Sequence, residues 1–326
     1  MKIKKTIGLS IATGILGLGV ASTAQASAYA VSFLNITDLI ITTTPAVAIL
    51  PGTPLSRADA GLNGAATASV TLLDAAAVNA PGSNPAVVRL NNVFNQFGQV
   101  SPSYSNSDAV IDSQQTSGAV FTQTRGISEA FVDGNAFATG GSAENNSATG
   151  FILSVAGGPV TFTFDFNAAK YLQAALSGDA FVPGSSATAT INASVTINDS
   201  VGTTYFGWSP DGAVTAGGVT GIAGGSETAD AFNLNQTVTS LFPGTSPTSN
   251  SGGCMIAAMN SFGTGVGNPC FGHFAASVTL APGIYNLGLA GKDSVTVSSV
   301  PAPGILALLG IGLAGLGFAN RKKAKA

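Results

Sequence analysis

Charge is scarce in this 326-residue chain: Asp, Glu, Lys and Arg make up 8% of it, against roughly 25% in an average soluble domain. So few cations cannot neutralise a row of phosphates, which excludes nucleic acid as a partner. Sparse charge with 45% hydrophobic residues and a mean hydropathy of +0.39 also excludes charge-driven disorder. One His and two Cys are too few for a zinc finger and exclude nearly every metal site built from imidazole or thiolate. His273 would have to serve any Ser-His-Asp or Cys-His hydrolase, yet no G-x-S-x-G elbow accompanies it, and Phe271 and Phe274 flank it as packing residues would. No catalytic residues, cofactor or bound metal are therefore expected, although paired carboxylates for glycoside hydrolysis stay open because the spacing that matters is spatial.

The few cations are unevenly placed. Lys2, Lys4 and Lys5 stand near one end and Arg321, Lys322, Lys323 and Lys325 near the other, leaving five cations between them against all fifteen acids, a net of −10. An acidic body repels nucleic acid and anionic lipid and attracts divalent cations or basic partners.

Both ends read as addresses. Lys2, Lys4 and Lys5, the apolar residues 7–20 and the small residues Ala24-Gln25-Ala26 have the three parts of a secretory signal, to be read by the Sec translocon and cut by signal peptidase. Toward the other end come Val300, Pro301, Ala302 and Pro303, then an uncharged apolar stretch at 305–319, then Arg321, Lys322 and Lys323. Fifteen helical residues span about 22 Å, less than the about 30 Å of a bilayer core, so the segment is a marginal transmembrane helix. The positive-inside rule would keep its basic tail cytoplasmic. The expected organisation is a signal peptide at 1–26, a secreted domain at 27–299 and a sorting segment at 300–326.

In order, length and charge, this last segment resembles the C-terminal signal of the PEP-CTERM proteins of Gram-negative bacteria, with Ala302 where that family usually has Glu. The resemblance implies recognition by an exosortase, a membrane-embedded transpeptidase-like enzyme encoded with exopolysaccharide genes. It implies transient anchoring, then a cell-surface or extracellular location, as a non-enzymatic biofilm or matrix protein associated with exopolysaccharide. A secreted hydrolase or carbohydrate-binding module with the same signal is the alternative. Within the body, Phe164-Asp165-Phe166, Trp208-Ser209-Pro210-Asp211-Gly212 and Ala229-Asp230-Ala231-Phe232-Asn233-Leu234 are similar to a PEP-CTERM ectodomain type named for an EDSA motif, whose nearest match here is Lys292-Asp293-Ser294-Val295. That likeness implies no catalytic residues.

The body reads as all-β, an antiparallel sandwich with one or two short helices. Val160, Phe162, Phe164 and Phe166 alternate with Thr161, Thr163 and Asp165, and Ala187, Ala189, Ile191, Ala193, Val195 and Ile197 alternate with polar residues, the period of half-buried strands. Residues 167–176 continue the first run. Ala281-Pro282-Gly283 and Ser209-Pro210-Asp211-Gly212 are turns, residues 294–297 a separate short strand, and 232–242 a broken strand pair. Asn84, Pro85 and the spacing of Leu90, Val93, Phe94 and Phe97 predict a helix over 85–97, ended by Gly98. Residues 101–118, rich in Ser, Asn and Gln, read as a surface loop.

Cys254 and Cys270 enclose fifteen residues, which in an oxidising compartment predicts a disulfide. Two buried thiols are the alternative, and a ligand set including His273 lacks its third and fourth members. Asp133-Gly134-Asn135 with Glu144, or Asn198-Asp199, offer oxygens suited to Ca²⁺, without a full D-x-D-x-D-G loop. Tyr205, Phe206 and Trp208 are either core or a platform for a sugar ring. Sequons at Asn35, Asn145, Asn192, Asn198 and Asn235 suggest a polar, hydroxyl-rich surface.

Overall fold

The computed structural model describes residues 27–63, 65–72, 74–79, 94–99, 103–116, 119–133, 140–177, 184–214, 218–241, 247–260 and 267–299. The expected signal peptide and sorting segment lie outside these, as does most of the predicted helix over 85–97; Phe94 to Phe97 are irregular. Among the described residues no helix is long and apolar enough to cross a membrane.

The strands are β1 (Ser27–Thr44), β2 (Ile49–Pro51), β3 (Leu55–Leu62), β4 (Ala65–Leu72), β5 (Asp74–Asn79), β6 (Tyr104–Thr116), β7 (Ala119–Val132), β8 (Gly140–Val155), β9 (Val160–Ser177), β10 (Ser186–Asp199), β11 (Thr204–Trp208), β12 (Val219–Thr220), β13 (Ser226–Asp230), β14 (Gln236–Leu241), β15 (Thr248–Asn250), β16 (Gly272–Leu280) and β17 (Gly283–Ser298). They form two antiparallel sheets. An eight-stranded sheet runs β13-β16-β9-β1-β7-β6-β5 with β15 also on β9, and a nine-stranded sheet runs β12-β11-β10-β17-β8-β3-β4 with β14 on β10 and β2 on β8. Single-turn 3₁₀ helices at Ser251–Gly253 and Ile256–Ala258 are the helical content of the described residues.

The alternating runs build the core between the sheets. Val160, Phe162, Phe164 and Phe166 point inward from β9, and Ala187, Ala189, Ile191, Ala193, Val195 and Ile197 from β10. Small alanines on β10 leave room for aromatic rings: Phe164 stacks on Phe206 at 5.6 Å and Phe166 on Phe274 at 5.0 Å between centroids, with Trp208 5.5 Å from Phe166. Each such ring buried contributes about 1.5–3 kcal/mol. The turn at Ala281-Pro282-Gly283 carries the chain from β16 in one sheet to β17 in the other, and the Tyr285 hydroxyl donates back to the Ala281 carbonyl at 3.0 Å.

Two expectations are corrected. Residues 294–297 are not a separate strand but the end of β17, which runs sixteen residues because it pairs along its length with both β8 and β10. Residues 101–118 are not a surface loop, since Tyr104–Thr116 is a strand between β5 and β7 with Ser105, Asn106, Ser107 and Asp108 buried. Its inward hydroxyls donate to the opposite sheet, Ser105 to the Ser142 carbonyl and Ser107 to the Glu144 carbonyl at 2.7 Å. Where its first half buries hydroxyls, ahead of the inward Ala109 and Ile111, the strand shows no hydrophobic alternation.

This polar seam centres on Asp293. Ser32 and Ser128 are register partners in one sheet, Asn145 and Asp293 in the other. Within its own sheet Asn145 donates to Asp293 Oδ1 at 2.7 Å, and across the gap Ser32 Oγ donates to the same oxygen at 3.3 Å and Ser128 Oγ to the Asp293 carbonyl at 3.3 Å. Oδ2 has no hydrogen-bond partner. Space for it comes from Gly126, where a Cβ would lie 2.5 Å from Oδ2 and 2.4 Å from the Asn145 side chain. Burial pushes the Asp293 carboxyl up to about 7, Glu144 adding to the effect and the donors Ser128, Asn145 and Ser32 opposing it.

The folded state binds the Asp293 proton more tightly than the unfolded chain, so its contribution is present at acid pH and is lost as pH rises from about 4 to about 7, by roughly 4 kcal/mol. Denaturant unfolding at pH 5 and pH 8 should therefore show wild type weaker at pH 8. Asp293→Asn should remove most of that difference, leaving the part due to Glu129 and Glu227, which burial shifts in the same direction. Equal pH slopes for both proteins would contradict the assignment.

Candidate functional site

The outer face of the eight-stranded sheet is covered where β1 crosses it. Tyr29, Val31 and Phe33 from β1 meet Phe94, Ile256, Met259 and Cys270 in a second, smaller core. The Cys254–Cys270 disulfide joins Cα atoms 5.7 Å apart and closes the segment that supplies Ile256 and Met259. Asn35 Nδ2 donates to the Met259 carbonyl at 2.6 Å, and Arg125 donates to the Asn260 carbonyl with its guanidinium 4.1 Å above the Phe94 ring. Gly252, at φ 54°, faces the Pro269 carbonyl where a Cβ would come within 2.7 Å.

Buried Glu129 fastens the other half of this cover. It accepts from the Tyr29 hydroxyl at 2.6 Å and from the backbone N–H groups of Phe97 and Gly98, each at 2.8 Å. Burial pushes its pKa above the usual carboxylate range, and those donors pull it back. Burial and the neighbouring Glu129 raise Tyr29 and Tyr104 as well. A carboxylate saturated by structural donors and sealed under the cover is an anchor for residues 94–99.

A different group of acids converges at one edge of the sandwich. Asp211 follows β11, one strand in from the edge of the nine-stranded sheet beside two-residue β12, Glu227 and Asp230 sit on the edge strand β13 of the other, and their carboxylate oxygens lie within 4.8 Å of one another. The Ser209-Pro210-Asp211-Gly212 turn, with Gly212 at φ 90°, aims the N–H groups of Asp211 and Gly212 at Asp230 Oδ2, at 2.8 and 2.7 Å. Trp208 Nε1 donates to Glu227 Oε1. Burial raises the Glu227 pKa, the Trp208 bond lowers it, and the charges of Asp230 and Asp211 raise it further. Nothing in the spacing of 211, 227 and 230 along the chain marks them as a group; the meeting of two sheet edges makes it.

The oxygen sets weighed for Ca²⁺ do not assemble. Asp133 takes the Ser103 hydroxyl at 2.9 Å, and Gly134 and Asn135 lie outside the described residues. Glu144 pairs with Lys292 at 3.0 Å, while Asp199 accepts from the N–H groups of Val201 and Thr203 in its own turn. Phe206 and Trp208 are core, and Tyr205 packs edge-on against Tyr285 at 5.0 Å, so they are not an exposed sugar platform. The reading of the sequons as surface is corrected for Asn35 and Asn145, which are 0% and 2% exposed because their amides serve the cover and the polar seam. His273 stands half exposed on the open outer face of the eight-stranded sheet, 3.1 Å from Asp165 Oδ2, not in a cleft. In the EDSA-like segment, Lys292 faces outward to Glu144 and Asp293 inward to the seam.

Closing the Cys254–Cys270 loop restricts the unfolded chain by about 3 kcal/mol in the entropic account. The double variant Cys254→Ser, Cys270→Ser should lose about that much unfolding free energy in a denaturant titration, with the β-sheet circular dichroism retained. An unchanged midpoint would show that the cover holds without its covalent link.

Val300, Pro301, Ala302, Pro303, Arg321, Lys322 and Lys323 lie outside the described residues, and here comparison with known proteins supplies what geometry does not. No curated protein and no solved structure matches the chain. Residues 299–323 match the PEP-CTERM protein-sorting motif. The segment is therefore a PEP-CTERM sorting signal, and the chain that carries it is an exported target of an exosortase, anchored transiently in the membrane before processing.

Proposed function

We propose that the acidic β-sandwich is a non-enzymatic surface or matrix module that associates with exopolysaccharide once the exosortase has acted. The observation that carries this reading is the outer face of the nine-stranded sheet. Thr188, Thr190, Asn192, Ser194 and Thr196 face outward along β10 beside Thr237 and Thr239 of β14 and Ser294 and Thr296 of β17. Thr190 and Thr237 hydroxyls are 3.0 Å apart, and those of Thr188 and Thr239 3.3 Å. A broad neutral plane of hydroxyls exchanges hydrogen bonds with a polysaccharide directly or through water.

The carboxylates at the sandwich edge favour a second reading, a glycoside hydrolase. Their arrangement weighs against it. Retaining and inverting enzymes hold two carboxyl groups about 5–5.5 or 6.5–9.5 Å apart with the sugar between them, whereas these oxygens crowd within 4.8 Å and Asp230 is committed to backbone amides. An apolar cavity between the sheets, lined by residues including Ile36, Leu39, Phe166 and Leu289, has a volume of about 30 Å³, room for a water and not a sugar.

Two experiments test the reading. In a host lacking its exosortase, full-length protein should accumulate in the membrane fraction, and replacing Pro301 and Pro303 should do the same with the enzyme present; unaltered fractionation in both would remove the sorting basis. The processed protein should co-sediment with exopolysaccharide from its host without releasing reducing ends, and Thr190→Val with Thr237→Val should weaken co-sedimentation severalfold without lowering the melting temperature. Release of reducing ends would make the chain an enzyme.

A further inference from the structure

We propose that Asp211, Glu227 and Asp230 form a calcium site that ties the edges of the two sheets together. Asp230 is 8% exposed, and while its Oδ2 accepts two backbone N–H groups, its Oδ1 is buried with no hydrogen-bond partner. Glu227 repeats the pattern, with Oε1 on the Trp208 indole and Oε2 buried and unpartnered. These two buried oxygens have no donor, and with exposed Asp211 the three side chains bring carboxylate oxygens within 4.8 Å of one another, a crowding of like charge in which Asp230 and Asp211 both disfavour ionisation of Glu227. The ion pairs of the described residues lie elsewhere, at Arg57–Asp59, His273–Asp165 and Lys292–Glu144. Unpaired buried charge is costly, and a bound cation removes that cost.

The donor set selects the cation. It is all oxygen, with no thiolate or imidazole, which fits the hard ions and excludes zinc and copper. Gly218 leaves a space beside Glu227 where a Cβ would lie 3.3 Å from Oε2 and 3.1 Å from the Ser209 carbonyl oxygen, so a backbone oxygen borders the same hollow. An irregular set of carboxylates and a carbonyl, completed by water, suits the flexible six-to-eight coordination of Ca²⁺ better than the strict octahedron of Mg²⁺. Because β13 is the edge strand of one sheet and β11 is separated from the edge of the other only by the two-residue β12, the ion would tie together two sheet margins that hydrogen bonding between strands does not join. Affinity of about 10⁻⁴–10⁻³ M, the range of extracellular calcium modules, matches a site half built by exposed Asp211.

Trp208 is the single tryptophan of the chain and touches Glu227, which makes it a built-in antenna. Processed protein purified from the host and freed of metal with a chelator should, on tryptophan excitation, sensitise emission from added Tb³⁺. Ca²⁺ should displace the Tb³⁺ and equal Mg²⁺ should not, and Ca²⁺ should raise the melting temperature. Asp211→Asn, whose amide oxygen can still accept the Ala213 N–H that Asp211 takes at 3.0 Å, should weaken Tb³⁺ binding about tenfold or more; Glu227→Gln, whose amide oxygen can still accept from Trp208, should abolish the thermal response. Asp59→Asn, in a surface pair elsewhere, should change neither. Absence of sensitised emission from folded wild type, or emission unaltered in Asp211→Asn and Glu227→Gln, would overturn the site and leave Glu227 and Asp230 as a pair sharing a proton.

Discussion

Strand β1 lies between β9 and β7 and turns side chains without room for water to both faces along most of its eighteen residues. Leu34 and Ile36 look toward the nine-stranded sheet, Tyr29, Val31 and Phe33 away from it. The first face is covered by the sandwich itself. The second requires a separate cover, and the disulfide loop, residues 94–99 and the Glu129 anchor exist on that side for this reason. A chain with so little charge has few ways to hold such a cover by ion pairs, so it uses one covalent bond and a carboxylate saturated by backbone N–H groups.

The same scarcity shapes the interior between the sheets. Asp293 could have been an aliphatic residue, and its burial costs stability at neutral pH. What it gives is registration: its side chain and backbone meet Ser32, Ser128 and Asn145 only when β1 and β7 face β8 and β17 at one offset. Gly126 is the matching concession in the opposite sheet. Sheets of long strands with similar Ala, Thr and Ser content would otherwise slide with little penalty, and a polar seam with a fixed partner list resists that.

Where side chains alternate between apolar and polar, the strands were legible from residue order alone, as at Val160 to Phe166 and Ala187 to Ile197. The turn at Ala281-Pro282-Gly283 was legible from its composition, but not that it joins different sheets. Strand β6 was hidden because its first inward residues are Ser105 and Ser107, ahead of Ala109 and Ile111, and burial of those hydroxyls becomes favourable only once the Ser142 and Glu144 carbonyls stand opposite. Asn35 and Asn145 were hidden for the same reason. The cysteine pair could be read from its loop length and compartment. The edge carboxylates could not, because Asp211 and Asp230 meet through a crossing between sheets and no local spacing encodes it.

The terminal signal tells where the chain goes, and the sandwich tells what arrives there: an acidic body with one hydroxyl-lined face and a covalently fastened cover. One cut at the sorting signal would separate the basic tail from the acidic domain. Intact mass measurement of the protein recovered from the outside of its native host tests this most directly. A mass that places the C-terminus close to Pro301-Ala302-Pro303, with Cys254 and Cys270 oxidised, is the predicted result. A mass that retains Arg321 to Ala326 would contradict it and make the chain a permanently anchored protein.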